Sequence, residues 1–192
     1  DMNVYLIRHG QIQATMATCY GQTDYLPLDT LDVEVKRLRE EISFSEGIYV
    51  SSPLIRCKRL VLECVPNTVD ILYDPRLKEV NCGRWEGVLW DDIPKDEFRK
   101  WEENIVHEPF PEGESYWDMF KRSTACLDEL IERYKTSDTN VYLFTHGGVI
   151  RALTSYLLKL ELEHSFRLSM DYARFAKFVI QDKWISMKGF GL

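Results

Sequence analysis

Two histidines stand at the ends of matched apolar runs, Val-Tyr-Leu-Ile-Arg-His-Gly from Val4 to Gly10 and Val-Tyr-Leu-Phe-Thr-His-Gly-Gly from Val141 to Gly148. Each run suits a buried central strand, and such a strand has no need of Arg8 and His9, or of His146, at its carboxyl end. Ligands of open α/β sheets bind in the crevice beyond those ends, so a basic pair followed by glycine reads first as an anion site. Arg56 falls in the first turn of a helix expected from Pro53 to about Cys64, where free N–H groups already favour an anion. Two guanidiniums and a charged imidazole can orient the three oxygens of a phosphoryl group and leave phosphorus open to attack opposite its leaving group. A neutral His9, one ring nitrogen aimed at phosphorus and the other donating to a carbonyl, is a competent nucleophile that forms a phosphohistidine. Neighbouring positive charge should keep it neutral. His146 would take the opposite task and hold a proton for an equatorial oxygen. A departing alkoxide also needs a proton; Glu79 is the candidate acid and, once ionised, the base for the water that follows.

Every one of these residues has a plainer reading. A histidine after a strand is most often a hydrogen-bonded structural residue. Arg56 alone could make a surface ion pair, and Glu79 alone reads as a solvated loop carboxylate. The matched flanks of His9 and His146, with Arg8 attached, are what favour function.

Positioning these groups calls for alternating strands and helices, and the chain supplies them. After the first strand, Gln11 to Leu28 reads as a long binding loop whose Tyr20 and Tyr25 speak against disorder. A helix is expected from Thr30 to about Ile42, then a short strand from Gly47 to Val50. Ser52 and Pro53 read as the cap and first position of the next helix. A strand from Val69 to Tyr73 leads into the shaped loop Arg76 to Gly87, which carries Glu79 and Glu86. Asp91 to Asn104 reads as a short helix. The helix from Ser115 to Tyr134 has Trp117, Phe120, Leu127, Leu130, Ile131 and Tyr134 at helical spacing, read as core. A helix follows the second histidine from Val149 to about Leu160, and Phe178–Ile180 with Trp184–Met187 reads as a closing hairpin; 161–172 suggests no element. The alternation predicts a parallel sheet with helices on both faces.

Bulk properties bound the partners. A chain of 192 residues with 45% hydrophobic content can bury one good-sized core, so residues 1–192 are read as one domain. The net charge of -7 argues against nucleic acid, whose backbone must be met by clustered Lys and Arg. No apolar run is long enough for a membrane span and no secretory signal is seen, giving a cytoplasmic reading. The five cysteines are scattered and never form Cys-x-x-Cys, as for reduced thiols.

Five segments in order carry a resemblance: Arg-His-Gly at 8–10, Ser-Ser-Pro-Leu-x-Arg from Ser51 to Arg56, Leu-Lys-Glu-x-Asn-x-Gly-x-Trp-Glu-Gly from Leu77 to Gly87, Gly-Glu-Ser at 113–115, and Thr-His-Gly-Gly-Val-Ile-Arg at 145–151. Together they resemble the histidine phosphatase superfamily, also called phosphoglycerate-mutase-like. The resemblance implies a three-layer α/β/α sandwich with a mostly parallel central sheet, phosphorylation of His9, a phosphate pocket of Arg8, Arg56 and His146, Glu79 as proton donor, and neither metal nor cofactor. Cys-Tyr-Gly-Gln-Thr-Asp at 19–24 and the compact length are similar to bacterial α-ribazole-5'-phosphate phosphatases of the cobalamin pathway. Phosphoglycerate mutases are longer and usually carry an Asn where this chain has Gln11 to Thr15. Cys82 replaces a common aromatic, which implies a changed pocket wall. Gln22, Thr23 and Trp90 are candidate contacts to a small phosphorylated metabolite, Trp90 having core burial as its plainer reading.

Other chemistries fare worse. No cysteine is followed by arginine six residues on, as a cysteine-based phosphate loop needs, and the four histidines lack paired ligand spacing. Phosphoglycerate mutase, a broad-specificity small-molecule phosphatase and a catalytically silent phosphate-binding protein stay open, although a mere binder has no use for Glu79.

Overall fold

The computed structural model describes residues 1–192. Its sheet comprises β1 (Met2–Arg8), β2 (Ile48–Ser51), β3 (Ile71–Tyr73), β4 (Asn140–Thr145), β5 (Phe175–Gln181) and β6 (Trp184–Phe190). The six strands lie in the order β3-β2-β4-β1-β5-β6. From β3 through β1 every pairing is parallel, while β5 runs antiparallel to β1 and β6 antiparallel to β5. The sheet is thus mostly parallel, as expected, with an antiparallel hairpin closing one side.

Helices cover both faces because the central strands are apolar on both. Side chains alternate along a strand. Val4 and Leu6 of β1 and Val141 and Leu143 of β4 join a core with α4 (Tyr116–Tyr134) and α5 (Gly147–Leu157). Ile7, Tyr142 and Phe144 face the other way, into a core with α1 (Leu31–Glu41) and α2 (Ile55–Cys64). A fifth helix, α3 (Lys95–Glu102), packs through Trp101 against Trp85 and Phe110.

Several expectations shift in detail. The helix expected from Pro53 begins at Ile55, after an extended Leu54, so Pro53 lies outside it. Ser52 accepts from Leu54 N at 3.3 Å in the turn before the helix and does not cap it. The third strand covers only Ile71–Tyr73, and the helix expected from Asp91 is a short turn at Trp90–Asp92 followed by α3. In α4 the buried face runs through Met119, Ser123, Cys126, Leu127 and Leu130. Trp117, expected in the core, is exposed at the rim and stacks on Phe120 at 5.1 Å. The unplaced stretch contains a 3-10 turn, Leu162–Arg167.

Candidate active site

Strand register brings the two histidines together. Arg8 is paired with Thr145 across β1 and β4, so His9 and His146 leave the sheet side by side, with ring centroids 5.2 Å apart. Both are buried, at 1% and 0% exposure, and Arg56 beside them is at 1%. His9 Nδ1 lies 2.8 Å from the Gly10 carbonyl oxygen. A carbonyl oxygen only accepts, so Nδ1 carries the hydrogen and Nε2 keeps its lone pair. Burial, Arg56 and Arg8 hold the His9 pKa well below its ordinary value. The ring is thus neutral and singly protonated, with Nε2 bare.

His146 differs from expectation. Burial first, then Arg56, His9 and Arg8, push its pKa well below the ordinary value too, so the free site holds it neutral rather than charged. Its Nε2 lies 2.8 Å from Ser52 Oγ, and Cys57 Sγ is 3.6 Å from the same nitrogen. The Ser-Ser-Pro segment therefore orients an imidazole, a role hidden while Ser52 was read as a helix cap.

The arginines converge on this pair. Arg56 Nη1 donates to Thr23 O at 2.7 Å and its Nη2 to Gly21 O. Arg8 Nη1 donates to Met170 O, Nη2 to Tyr20 OH at 3.3 Å, and its guanidinium lies over the Tyr172 ring at 4.1 Å. The Nε atoms of both arginines are buried without a partner in the protein. Buried donors of that kind are costly unless something accepts from them, and the phosphoryl oxygens of a bound ester are apt acceptors. Tyr20 and Tyr172 meet hydroxyl to hydroxyl at 3.1 Å beside these groups.

Arg8 and Glu79 line one cleft of about 150 Å³ with Gly147 and Gly148. Glu79 accepts from Gly148 N at 3.0 Å and from Val80 N at 3.0 Å. A side chain at Gly148 would run into the Glu79 carboxyl, and one at Gly147 would sit 3.2 Å from Arg8 Nε. The paired glycines let α5 begin against both groups. The loop that carries Glu79 is pinned by Arg122, which donates to the carbonyls of Arg76, Lys78 and Glu79 at 2.8, 2.6 and 2.8 Å and is paired with Glu114 at 2.9 Å. Glu114 also accepts from Asn81 N at 2.9 Å, and Ser115 caps α4 in a box with Asp118. Gly-Glu-Ser is thus a clamp on the Glu79 loop.

Not every expected contact reaches the cleft. Trp90 lines it, next to Phe110, Tyr116 and Cys82. Gln22 instead donates from Nε2 to the Glu79 carbonyl at 3.0 Å, and Thr23 Oγ1 donates to Glu86 at 2.6 Å. Their side chains are committed to holding loops together, Gln22 on the Glu79 backbone and Thr23 on Glu86, while the backbone carbonyl of Thr23 accepts from Arg56. Burial raises the thiol pKa of Cys57 to about 12, and the neighbouring Cys19 thiol together with burial raises that of Cys82, so neither offers a thiolate. A larger cavity of about 630 Å³ lies between Glu102–His107, Trp117, Phe120 and Leu160–Glu163, with none of the site residues in its wall. The one trio of close possible metal ligands, Glu161, Glu163 and His164, is exposed on that side of the molecule.

A mostly parallel sheet brings His9, His146 and Arg8 together at its strand exits, and the first turn of α2 adds Arg56 beside them. The sequence profile of the histidine phosphatase superfamily (branch 1) matches residues 4–191, and the chain belongs to that superfamily. A protein of Hydrogenobacter thermophilus assigned as phosphoserine phosphatase 2 is 27% identical over 177 residues, 88% of this chain and 85% of that one. One of Yersinia pestis assigned as phosphoglycerate mutase is 29% identical over 179 residues, 88% of this chain and 80% of that one. The α-ribazole phosphatase of Shigella flexneri superposes with a TM-score of 0.89 at 20% identity, covering 100% of this chain and 96% of that one, a likeness of fold. No helix is long and apolar enough to cross a membrane.

Proposed function

We propose that the chain is a metal-independent phosphomonoester hydrolase that works through phosphorylation of His9. The observation that carries this reading is the buried, neutral His9, its Nδ1 hydrogen tied to the Gly10 carbonyl and its Nε2 left bare between two arginines. In the first step Nε2 attacks phosphorus, the P–N bond forms as the ester P–O bond breaks, and the alkoxide takes a proton from Glu79. Arg8, Arg56 and His146 hold the three equatorial oxygens as charge redistributes. In the second step water attacks the phosphohistidine, its proton passes to the Glu79 carboxylate, and the P–N bond breaks to release inorganic phosphate. The cycle returns both His9 and Glu79 to their starting forms.

As to substrate, the motif pattern supports an α-ribazole-5'-phosphate phosphatase, and the named relatives support small phosphorylated hydroxy acids equally well. A cleft of about 150 Å³ walled by Trp90, Phe110 and Tyr116 suits the smaller compounds better. Net hydrolysis is preferred over transfer between isomers because the Asn usual in mutases is absent from 11–15. The test is phosphate release from p-nitrophenyl phosphate together with acid-labile phosphate trapped on the protein. His9→Ala should lose both signals, by at least about 10³-fold in rate. Turnover that survives His9→Ala, or a wild-type protein that binds phosphate without turnover, would overturn the reading.

A further inference from the structure

The cleft holds one more cation than a phosphoryl group requires. Arg151, one turn into α5, lines the same wall as Arg8 and Glu79. It takes part in no side-chain hydrogen bond, and neither it nor Arg8 nor Arg56 belongs to any salt bridge of the protein. A Cβ built on Gly147 would lie 3.2 Å from Arg8 Nε and 3.6 Å from Arg151 Nη1. The two guanidiniums therefore come within about 7 Å of one another, a repulsive arrangement in a half-buried cleft. Glu79 is the one carboxylate in the cleft wall, and it is taken up by the backbone N–H groups of Gly148 and Val80. With Glu79 protonated, as the acid step requires, three arginines against a phosphoryl dianion leave one positive charge over. Tyr116, whose hydroxyl has no hydrogen-bond partner in the protein, stands in the same wall and offers a further donor.

Resting on the hydrolase reading above, we propose that Arg151, assisted by the Tyr116 hydroxyl, binds a carboxylate on the leaving group, so that the substrate class is small phosphorylated hydroxy acids. The make-up of the cleft wall agrees with this. Arg8 and Arg151 both approach Gly147, and Arg151 shares its wall with Trp90, Phe110 and Tyr116. That wall excludes water around the charge pair and limits the size of what is carried there.

A matched pair of substrates differing in one group provides the test. 3-Phosphoglycerate and glycerol 3-phosphate carry a carboxylate and a hydroxymethyl group at the same position. The wild-type protein should favour the first by at least about tenfold in kcat/KM, mainly through KM, as expected for a charge-assisted contact. Arg151→Gln should bring the ratio close to one, and Arg151→Lys should keep part of it because a point charge replaces the planar fork. Tyr116→Phe should lower the ratio by a smaller factor, which serves if the arginine variant folds poorly. A wild-type ratio of one or less, faster turnover of α-ribazole 5'-phosphate than of 3-phosphoglycerate, or a ratio untouched by Arg151→Gln each overturns the inference. The hydrolase reading stands or falls separately, on p-nitrophenyl phosphate and His9.

Discussion

Replacing Gly148 by alanine should separate stability from catalysis, because the atoms nearest the added methyl are those of the Glu79 carboxyl. Gly148 is the second residue of α5, and its backbone is not in the left-handed region. An ideal Cβ there would sit 3.0 Å from Glu79 Cδ and 3.1 Å from Oε2, and would collide with Oε1. Those atoms are the free end of a side chain, so the methyl is accommodated by rotating Glu79 rather than by moving backbone. Alanine is worth up to about 1 kcal/mol over glycine inside a helix, and less in its first turn. The folded state should therefore change by less than about 1 kcal/mol in either direction. The rotated carboxyl loses its 3.0 Å bond from Gly148 N and with it the position from which the proposed mechanism has it donate. A shift of about 1 Å in a positioned group costs about 100-fold, so kcat/KM for alkyl phosphates should fall by that factor. Aryl phosphates, whose leaving groups need little proton assistance, should lose less than about tenfold. Parallel kinetics on glycerol 3-phosphate and p-nitrophenyl phosphate, with a thermal melt of both proteins, read all three quantities. Destabilisation beyond about 2 kcal/mol with equal losses on both substrates would show that Gly148 serves packing alone and would refute the argument.

Glu79→Gln should slow alkyl phosphate hydrolysis at least about tenfold more than aryl phosphate hydrolysis, and equal slowing would remove Glu79 from the acid role. Acidification should destabilise the fold through the histidines. His9 and His146 have pKa values held below the ordinary range when folded. The unfolded chain takes up protons below about pH 6.5 that the folded site refuses. Their stabilising effect is complete above that pH and is lost as pH falls, at up to about 1.4 kcal/mol per pH unit for each. Denaturant midpoints between pH 8 and 5 should show this slope, and His9→Asn should reduce it; a midpoint that holds or rises on acidification contradicts two buried neutral rings.

How far the sequence carried depended on whether a residue's work was local. His9 and His146 were legible because a strand ending on a polar residue is anomalous wherever it occurs, and the parallel pairing of Val4–Arg8 with Val141–Thr145 follows from matched apolar runs. The helix from Ser115 was legible from periodicity and its cap, yet its buried face was misjudged at Trp117. Aromatic spacing fixes a face only when the neighbouring layer is known, and the surface that Trp117 meets is Phe120 and the rim of the larger cavity. Ser52, Arg122 and Glu114 were missed as site residues for one common reason. Each acts on a segment between 33 and 94 residues away, and nothing in its own neighbourhood distinguishes it from a cap or a surface ion pair. Gln22 and Thr23 failed in the opposite sense. Their place in the loop after His9 suggested substrate, whereas their polar side-chain groups hold the loops at Glu79 and Glu86.

The neutrality of His146 bears on how the site would take a charged ester. Arg56 is the largest charge acting against a proton on either ring, with Arg8 acting the same way on both. Those guanidiniums are the groups a phosphoryl dianion would neutralise. Its arrival would therefore lift the penalty on His146 and leave His9 to feel the phosphorus instead. One imidazole could then gain a proton while its neighbour, 5.2 Å away, stays bare. Two rings with matched burial would thus be assigned opposite tasks by what each faces: His9 by the Gly10 carbonyl that takes its Nδ1 hydrogen, His146 by the Ser52 hydroxyl, which can either donate or accept. A carbonyl fixes one tautomer, whereas a hydroxyl tolerates both protonation states. On this argument the division of labour is built into the second partner of each ring, and the substrate's own charge completes it.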